Sequence, residues 1–202
     1  MIQDLDETLK ELLTQKVPID NTQIEIKFEM PFDKDWEPKP QTPKINLFLY
    51  DIRENHELRS NERFVTRNGA TGIETKDPVR MDFSYMITVW SRDVNDEHRL
   101  LGTLLKTLLR YPILPHEVLK GEFELNKDNP LVPPLRAWVT QPERTPNGWE
   151  FWTALEGRLK AGLSYMVTVP VQPFTPIDVP LVTEKIITWK KVDQKDWNKN
   201  VG

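Results

Sequence analysis

The sequence NLFLYDIREN, residues 46–55, begins as a run of apolar residues and ends in closely spaced charges. Both faces of the segment from Ile45 to Asp51 are apolar, so we expect a central strand that is covered on both sides. The charges that follow, with Glu57-Leu58-Arg59 close behind, include no catalytic nucleophile. We therefore interpret this stretch as a buried strand that leads into a subunit interface.

Patterns on either side of this stretch predict a mixed α/β domain. Residues 2–13 repeat leucine and isoleucine at helical spacing, and residues 81–89 alternate apolar and polar side chains, as strands do. A second amphipathic helix follows, with Asp93 or Asn95 as its N-cap, a leucine face from 100 to 109, and Gly102 allowing close packing on the sheet. Shorter strands are predicted at residues 24–28, 135–140 and 165–170.

Two segments do not fit this core pattern. Asn68-Gly69 is a strong signal for a hairpin turn, and we expect a small projecting hairpin from residues 64–66 and 70–73. Residues 171–180 are rich in proline and are predicted to be a linker. Residues 183–190 are expected to form a strand that either adds to the sheet edge of a neighbouring subunit or folds back on its own domain.

Composition limits the class of protein. A chain of 202 residues fits one domain, and its net charge of −4 argues against nucleic-acid binding, which usually needs a basic face. The absence of cysteine excludes a disulfide framework and a thiolate metal site. No apolar run approaches the roughly 18 residues of a membrane span, and the first 17 residues lack the pattern of a signal peptide.

Motifs of enzymes are weak. Asp4-Leu5-Asp6-Glu7-Thr8 matches the Asp-x-Asp-x-Thr pattern of phosphatases in which the first Asp is a nucleophile just after a buried strand. Helical leucine spacing runs through the motif here, so a solvated helix face is the favoured interpretation. His56, His98 and His116 have no second ligand at a metal-binding spacing. We predict no catalytic residue, no cofactor and no metal site.

Three segments together resemble the tail-terminator (cap) proteins of phage-tail-like contractile injection systems, a family long catalogued as a domain of unknown function. They are residues 46–55 with Leu58-Arg59, residues 78–90 (PVRMDFSYMITVW) and residues 96–102 (DEHRLLG). The N-terminal DLDETLKELL and the later SYMVTVPV fit as well. The resemblance covers roughly residues 1–175.

The resemblance implies an α/β (α+β) fold: one domain, residues 1–175, with a mixed, mainly antiparallel sheet flanked by helices, and a C-terminal extended arm, residues 176–202. It implies a structural protein rather than an enzyme. Six copies would form a ring on the end of the inner tube and contractile sheath, stop polymerisation and link sheath to tube.

The partners implied are the protein itself, as a homohexamer, the sheath protein and the inner tube protein, with no nucleic acid and no direct membrane insertion. Assembly is expected in the cytoplasm, within a particle that is released or membrane-tethered. In the candidate interface, charges set register and aromatic or apolar residues serve as anchors. Its residues are Trp36, Arg53, Glu54, Asn55, Leu58, Arg59, Arg63, Arg67, Ile186, Ile187 and Trp189.

Three other functions stay open at this point. The chain could be another sheath- or baseplate-associated adaptor of the same particle. It could be a phosphatase that uses Asp4 and Asp6. It could also be a stand-alone binding module, which would stay monomeric and ignore sheath and tube.

Overall fold

The computed structural model describes residues 1–20, 22–33, 36–69, 71–130, 132–140, 152–153, 159–181 and 184–188. Its helices are α1 (Ile2–Lys16), α2 (Val94–Arg110) and α3 (Glu122–Leu125), with short 3-10 turns at His56–Leu58 and His116–Val118. Its strands are β1 (Glu25–Lys27), β2 (Lys44–Glu54), β3 (Arg63–Asn68), β4 (Thr71–Lys76), β5 (Val79–Trp90), β6 (Arg136–Val139), β7 (Gly162–Val171) and β8 (Ile177–Pro180).

Contacts between residues divide the chain into two units. The first contains residues 1–61 and 77–173, and the second contains residues 62–76 and the chain from residue 174 onward. The hairpin β3–β4 thus belongs with the C-terminal residues, which are about a hundred positions away in the sequence. The proposed division into a domain, 1–175, and an arm, 176–202, stays a prediction.

The first unit is built on a five-stranded sheet with the order β1-β2-β5-β7-β6. The pair β1–β2 is parallel, and the other neighbours are antiparallel. The predicted mixed, mainly antiparallel sheet with flanking helices is therefore confirmed. β2 is flanked on both sides, as expected, but β5 occupies the middle of the sheet.

Both faces of β5 are buried, because its side chains alternate between them. Phe83, Tyr85 and Ile87 join the main apolar core, which they share with the buried leucines of α1 and α2. Met86 and Trp90 point to the other face and pack in a second cluster of mostly aromatic residues. Burial on both sides makes this strand the centre of the unit.

Helix α2 begins as the sequence predicts. The Asp93 carboxylate accepts a hydrogen bond from the Asn95 backbone N–H at 2.9 Å, which satisfies a donor that the helix itself leaves open. The apolar face is narrower than predicted, since Leu109 is 59% exposed. The packing role predicted for Gly102 is wrong, because a Cβ placed there would meet nothing within 4 Å.

The second unit is a three-stranded antiparallel sheet with the order β3-β4-β8. The predicted hairpin is confirmed: Asn68 pairs with Thr71, and Gly69 takes a left-handed φ of +63° that glycine adopts without strain. The linker predicted across residues 171–180 is wrong where β8 forms. Ile177 and Val179 flank Asp178, and Pro180 is tolerated because β8 is an edge strand.

The strand predicted at residues 183–190 does not form over residues 184–188, which lie outside any strand and are exposed. Residue 183 and residues 189–190 lie outside the described residues. The physical reason is that a β-prone sequence forms a strand only where it finds a partner edge, and the described part of a single chain pairs β4 with β3 and β8 instead.

Candidate subunit interface

The charged end of β2 and the turn after it form one loop, residues 53–59, which we call the interface loop. A bulge at Tyr50 shifts the pairing of β2 with β5, so that Leu49 pairs with Tyr85 but Asp51 pairs with Ser84. The extra residue changes which face each later side chain occupies. Arg53 is thereby placed opposite Asp82, with its own guanidinium paired to Asp51 and largely exposed.

Asn55 anchors the interface loop to the sheet. Its amide nitrogen donates to both carboxylate oxygens of Asp82, at 3.1 and 3.0 Å, and its amide oxygen accepts the Leu58 N–H at 3.1 Å. The Thr168 hydroxyl on β7 donates to the same carboxylate. All three polar side chains, those of Asn55, Asp82 and Thr168, are buried. Buried polar groups are costly unless bonded, so this network fixes the loop to two strands.

Glu54 and Arg59 close the loop by a bidentate ion pair. The Arg59 Nε and Nη2 atoms donate to the two Glu54 carboxylate oxygens at 2.6 and 2.7 Å. These hydrogen bonds lower the pKa of Glu54 and raise that of Arg59. The pair is solvent-exposed, so its net contribution to stability is small. Its effect is geometric: it holds the guanidinium of Arg59 in one orientation at the surface.

A cavity of about 220 Å³ lies between the interface loop and the sheet. Asp82, Ser84 and Met166 line its inner wall, and residues 53–57 line its rim. Leu58 and Ile52 stay substantially exposed beside it. The loop therefore combines fixed charges, exposed apolar side chains and a recess, which suits protein–protein contact.

Apart from Trp36, the other predicted interface residues that the structure describes lie in the second unit. Arg63 on β3 pairs with Glu74 on β4 at 2.9 Å, and the Arg67 Nε donates to the Gly69 carbonyl at 3.1 Å. Ile186 and Ile187 are 79% and 59% exposed. The predicted anchor Trp189 lies outside the described residues. The structure thus groups five predicted residues in the interface loop and two on β3.

Trp36 belongs to the aromatic cluster on the second face of the sheet. It packs edge-on against Trp90, with ring centroids 4.8 Å apart, and the Lys44 ammonium lies 4.6 Å from its ring centroid. Its indole N–H is buried and is one of the described polar groups without a hydrogen-bond partner. Trp36 is only partly exposed, so its role as an interface anchor stays a prediction.

Sequence reasoning missed Asp82 and Thr168. Both lie on strands in which apolar and polar residues alternate, and a polar residue in such a pattern normally faces water. The available signal was the position of Asp82 in PVRMDFSYMITVW. Both faces of this strand are rich in large side chains, so the carboxylate is expected to be buried. Burying a carboxylate costs free energy unless it is hydrogen-bonded. The partners of Asp82 come from positions 27 and 86 residues away, and pairing at that range cannot be deduced from spacing.

The Asp-x-Asp-x-Thr motif lies on α1 rather than on a loop after a buried strand. The Asp6 carboxylate accepts the Tyr85 hydroxyl at 2.8 Å, and burial raises the pKa of Asp6 while that bond opposes the rise. The Asp4 carboxylate accepts the backbone N–H of Glu122 at 3.4 Å. The two carboxylates thus serve helix contacts, and the geometry that the phosphatase mechanism needs is not present at this motif.

The described residues were also compared with the requirements of a metal site and of a membrane-spanning helix. No group of three or more histidine and acidic side chains there is arranged to hold a metal ion. No helix there has the length and apolar character needed to cross a bilayer.

Comparison with known proteins gives a consistent family assignment. The profile of the Pvc16 N-terminal domain matches residues 4–184. No curated protein sequence is significantly similar to the chain.

Two solved structures share the fold. One is the sheath/tube terminator of the extracellular contractile injection system PVC in the extended state, with 24% identity and a TM-score of 0.68 over 96% of this chain and 65% of that one. The other is the tube-terminating cap of the anti-feeding prophage, AFP, with 22% identity and a TM-score of 0.64 over 94% and 61%. The chain therefore spans less than two thirds of either neighbour. The predicted resemblance to tail terminators is confirmed, and the chain belongs to the family of the Pvc16 N-terminal domain.

Proposed function

We propose that this protein is a structural, non-enzymatic end cap of a contractile injection particle. Six copies form a ring on the end of the inner tube and sheath, stop their polymerisation and link one to the other. The observation that carries the proposal is the family match over residues 4–184, together with the shared fold of two proteins described as terminators. The particle is of the extracellular kind, like that of the first neighbour.

The interface loop supports a role in assembly. A ring requires a contact between two different surfaces of neighbouring copies. Arg53, Glu54 and Arg59 present fixed charges that set register and reject wrong partners, while exposed Leu58 supplies apolar area. Because Asn55 ties the loop to the sheet, little ordering entropy is lost when it docks.

The remaining alternatives receive less support. A sheath- or baseplate-associated adaptor of the same particle would share the partners but would not sit at the end of the tube. A monomeric binding module would not need the rigid, charged interface loop. A phosphatase would need Asp4 on a loop after a strand, whereas Asp4 lies in the first turn of α1.

Native mass spectrometry of the purified protein, with negative-stain images of the same sample, tests the ring. The expected species has six times the chain mass of 23.7 kDa and appears as a sixfold ring. A monomer that also leaves preformed sheath–tube ends bare would contradict the proposal and favour the binding module. The Arg59→Glu variant should lower the hexamer fraction, whereas Arg99→Glu, which breaks an exposed helix ion pair with Asp96, should not.

A further inference from the structure

Over the residues that the structure describes, the small sheet of the second unit has one open edge and one blocked edge. The hairpin loop of two residues is closed by the pair Asn68 and Thr71, and such a pair exchanges hydrogen bonds. Bonded and non-bonded pairs alternate along an antiparallel ladder. The backbone N–H and C=O groups of Arg63, Val65 and Arg67 therefore point away from β4, at the free edge of β3.

The edge of β8 is blocked by the same alternation. Gly72 and Glu74 of β4 bond to Val179 and Ile177, so Asp178 and Pro180 face outward. Proline has no N–H, and this leaves one outward donor on β8, that of Asp178. The described sheet can therefore accept a further strand at β3 but not readily at β8.

A candidate strand exists in the same chain. Residues 184–188, Glu-Lys-Ile-Ile-Thr, lie outside any strand, and Ile186 and Ile187 are strongly exposed. Three of the five residues are β-branched, which favours extended pairing. When a segment adds as a strand to an open sheet edge, its exposed apolar side chains become buried.

One antiparallel register matches the two segments side chain by side chain. With Ile186 opposite Val65, the next pair places Ile187 opposite Phe64, so that four exposed apolar side chains meet in two pairs. Glu184 then lies opposite Arg67. The parallel register places Glu184 opposite Arg63 instead, and that guanidinium is already paired with Glu74.

The segment of the same copy has no slack for this register, because it would reach only when fully extended. A strand beyond β3 lies three strand spacings from β8, about 14 Å. The steps from Pro180 to Glu184 reach at most about 14 Å when fully extended. The Leu181 side chain also packs over Gly72 on β4, which leaves no length for the chain to pass around the hairpin.

We propose that residues 184–188 of one copy add to the free edge of β3 in the next copy. The segment 184–188 and the edge of β3 are different surfaces of the protein, so the contact between two copies is heterologous. It repeats from copy to copy until a ring closes. The inference names an interface of the proposed hexamer and in that respect rests on the proposed function. Each copy contributes one segment 184–188 and one free β3 edge, and the blocked β8 edge prevents further strands from adding.

Cysteine cross-linking tests the register, since the chain has no cysteine of its own. Phe64 and Ile187 would form a non-hydrogen-bonded pair with Cα atoms about 4.5 Å apart, within the range of a disulfide. A Phe64→Cys chain and a differently tagged Ile187→Cys chain are mixed and mildly oxidised. A reducible heterodimer is expected, in about tenfold excess over the mixture with Ile186→Cys, whose side chain points to the other face.

The outcomes separate the inference from the proposed function. A native hexamer without the heterodimer overturns strand exchange and leaves the cap standing. The heterodimer without a hexamer supports strand exchange and counts against the ring. If Phe64→Cys and Ile187→Cys in one chain give only an intramolecular bond, the segment folds back on its own copy and the inference fails.

Two further variants refine the test. Arg67→Glu and Glu184→Arg should each lower the heterodimer yield, and the chain carrying both should recover it, because the pair is then reversed rather than broken. A photoreactive benzoylphenylalanine at position 64 in assembled particles identifies the occupant directly. A product with a second copy of this chain supports the proposal, and a product with a sheath or tube subunit alone overturns it.

Discussion

At the scale of single residues, the candidate interface depends on one amide. Asn55 bonds both oxygens of Asp82 and caps the turn that carries Leu58, while Thr168 completes the network from another strand. The sequence places Asn55 after the charged end of an apolar strand, from which we predict that it belongs to a subunit interface, and that assignment stays a prediction. The sequence did not allow us to predict Asp82 and Thr168, since their partnership depends on strand pairing.

Replacement of Asn55 by alanine should destabilise the protein by about 2 to 3 kcal/mol, because a buried carboxylate loses two hydrogen bonds. Chemical denaturation gives the free energy of unfolding. Asn61→Ala, at an exposed position two residues beyond the loop, is the matched control and should stay within about 0.5 kcal/mol. Equal effects of the two substitutions would show that the Asp82 network does not hold the interface loop.

The contribution of the Asp6 carboxyl group to the free energy of unfolding should fall as pH rises. Burial raises its pKa above the ordinary 3.8, so the folded state holds the proton more tightly than the unfolded state. The stabilisation from this group is therefore full below the ordinary value and is lost as pH rises through the raised pKa. Asp6→Asn removes the titration and should gain stability relative to the natural protein as pH rises through that window.

Thermal melts of both proteins between about pH 3 and pH 7 measure this difference. Carboxylates with lowered pKa values, such as Glu54 and Glu117, give the opposite slope but are present in both proteins and cancel. A difference in melting temperature that does not change with pH would contradict the raised pKa of Asp6.

At the scale of elements, local patterns predicted what local forces determine. The alternation of β5, the N-cap of α2 and the turn of the hairpin all follow from neighbouring residues. The addition of β8 to β4 was missed, because it joins positions about a hundred residues apart and a proline-rich segment is typical of a linker. The bulge at Tyr50 was missed as well, since it is defined only against the partner strand.

The N-cap of α2 gives a prediction at this scale. Asp93→Ala should cost about 1 kcal/mol of stability, because the first turn loses its side-chain acceptor. Asp96→Ala, three residues later, breaks only an exposed ion pair with Arg99 and should cost less than about 0.5 kcal/mol. Urea denaturation of the two variants compares them, and a larger effect of Asp96→Ala would be inconsistent with capping by Asp93.

At the scale of the whole molecule, the chain contains an α/β unit and a unit with a small three-stranded sheet, in which the described residues leave the outer edge of β3 unpaired. The interface loop is fixed by buried hydrogen bonds, and the segment 184–188, which we propose pairs with a neighbouring copy, is exposed. The two solved terminators that share the fold are longer than this chain, which covers 65% and 61% of them.

We propose that the protein closes the end of a sheath–tube particle. The most direct measurement is electron microscopy of preformed sheath–tube particles mixed with the protein, imaged with and without an antibody to a tag on it. We predict a ring of sixfold symmetry and antibody label at one end only, and no further growth of that end when free tube and sheath subunits are added. Bare ends that continue to elongate in the presence of saturating protein would contradict the account.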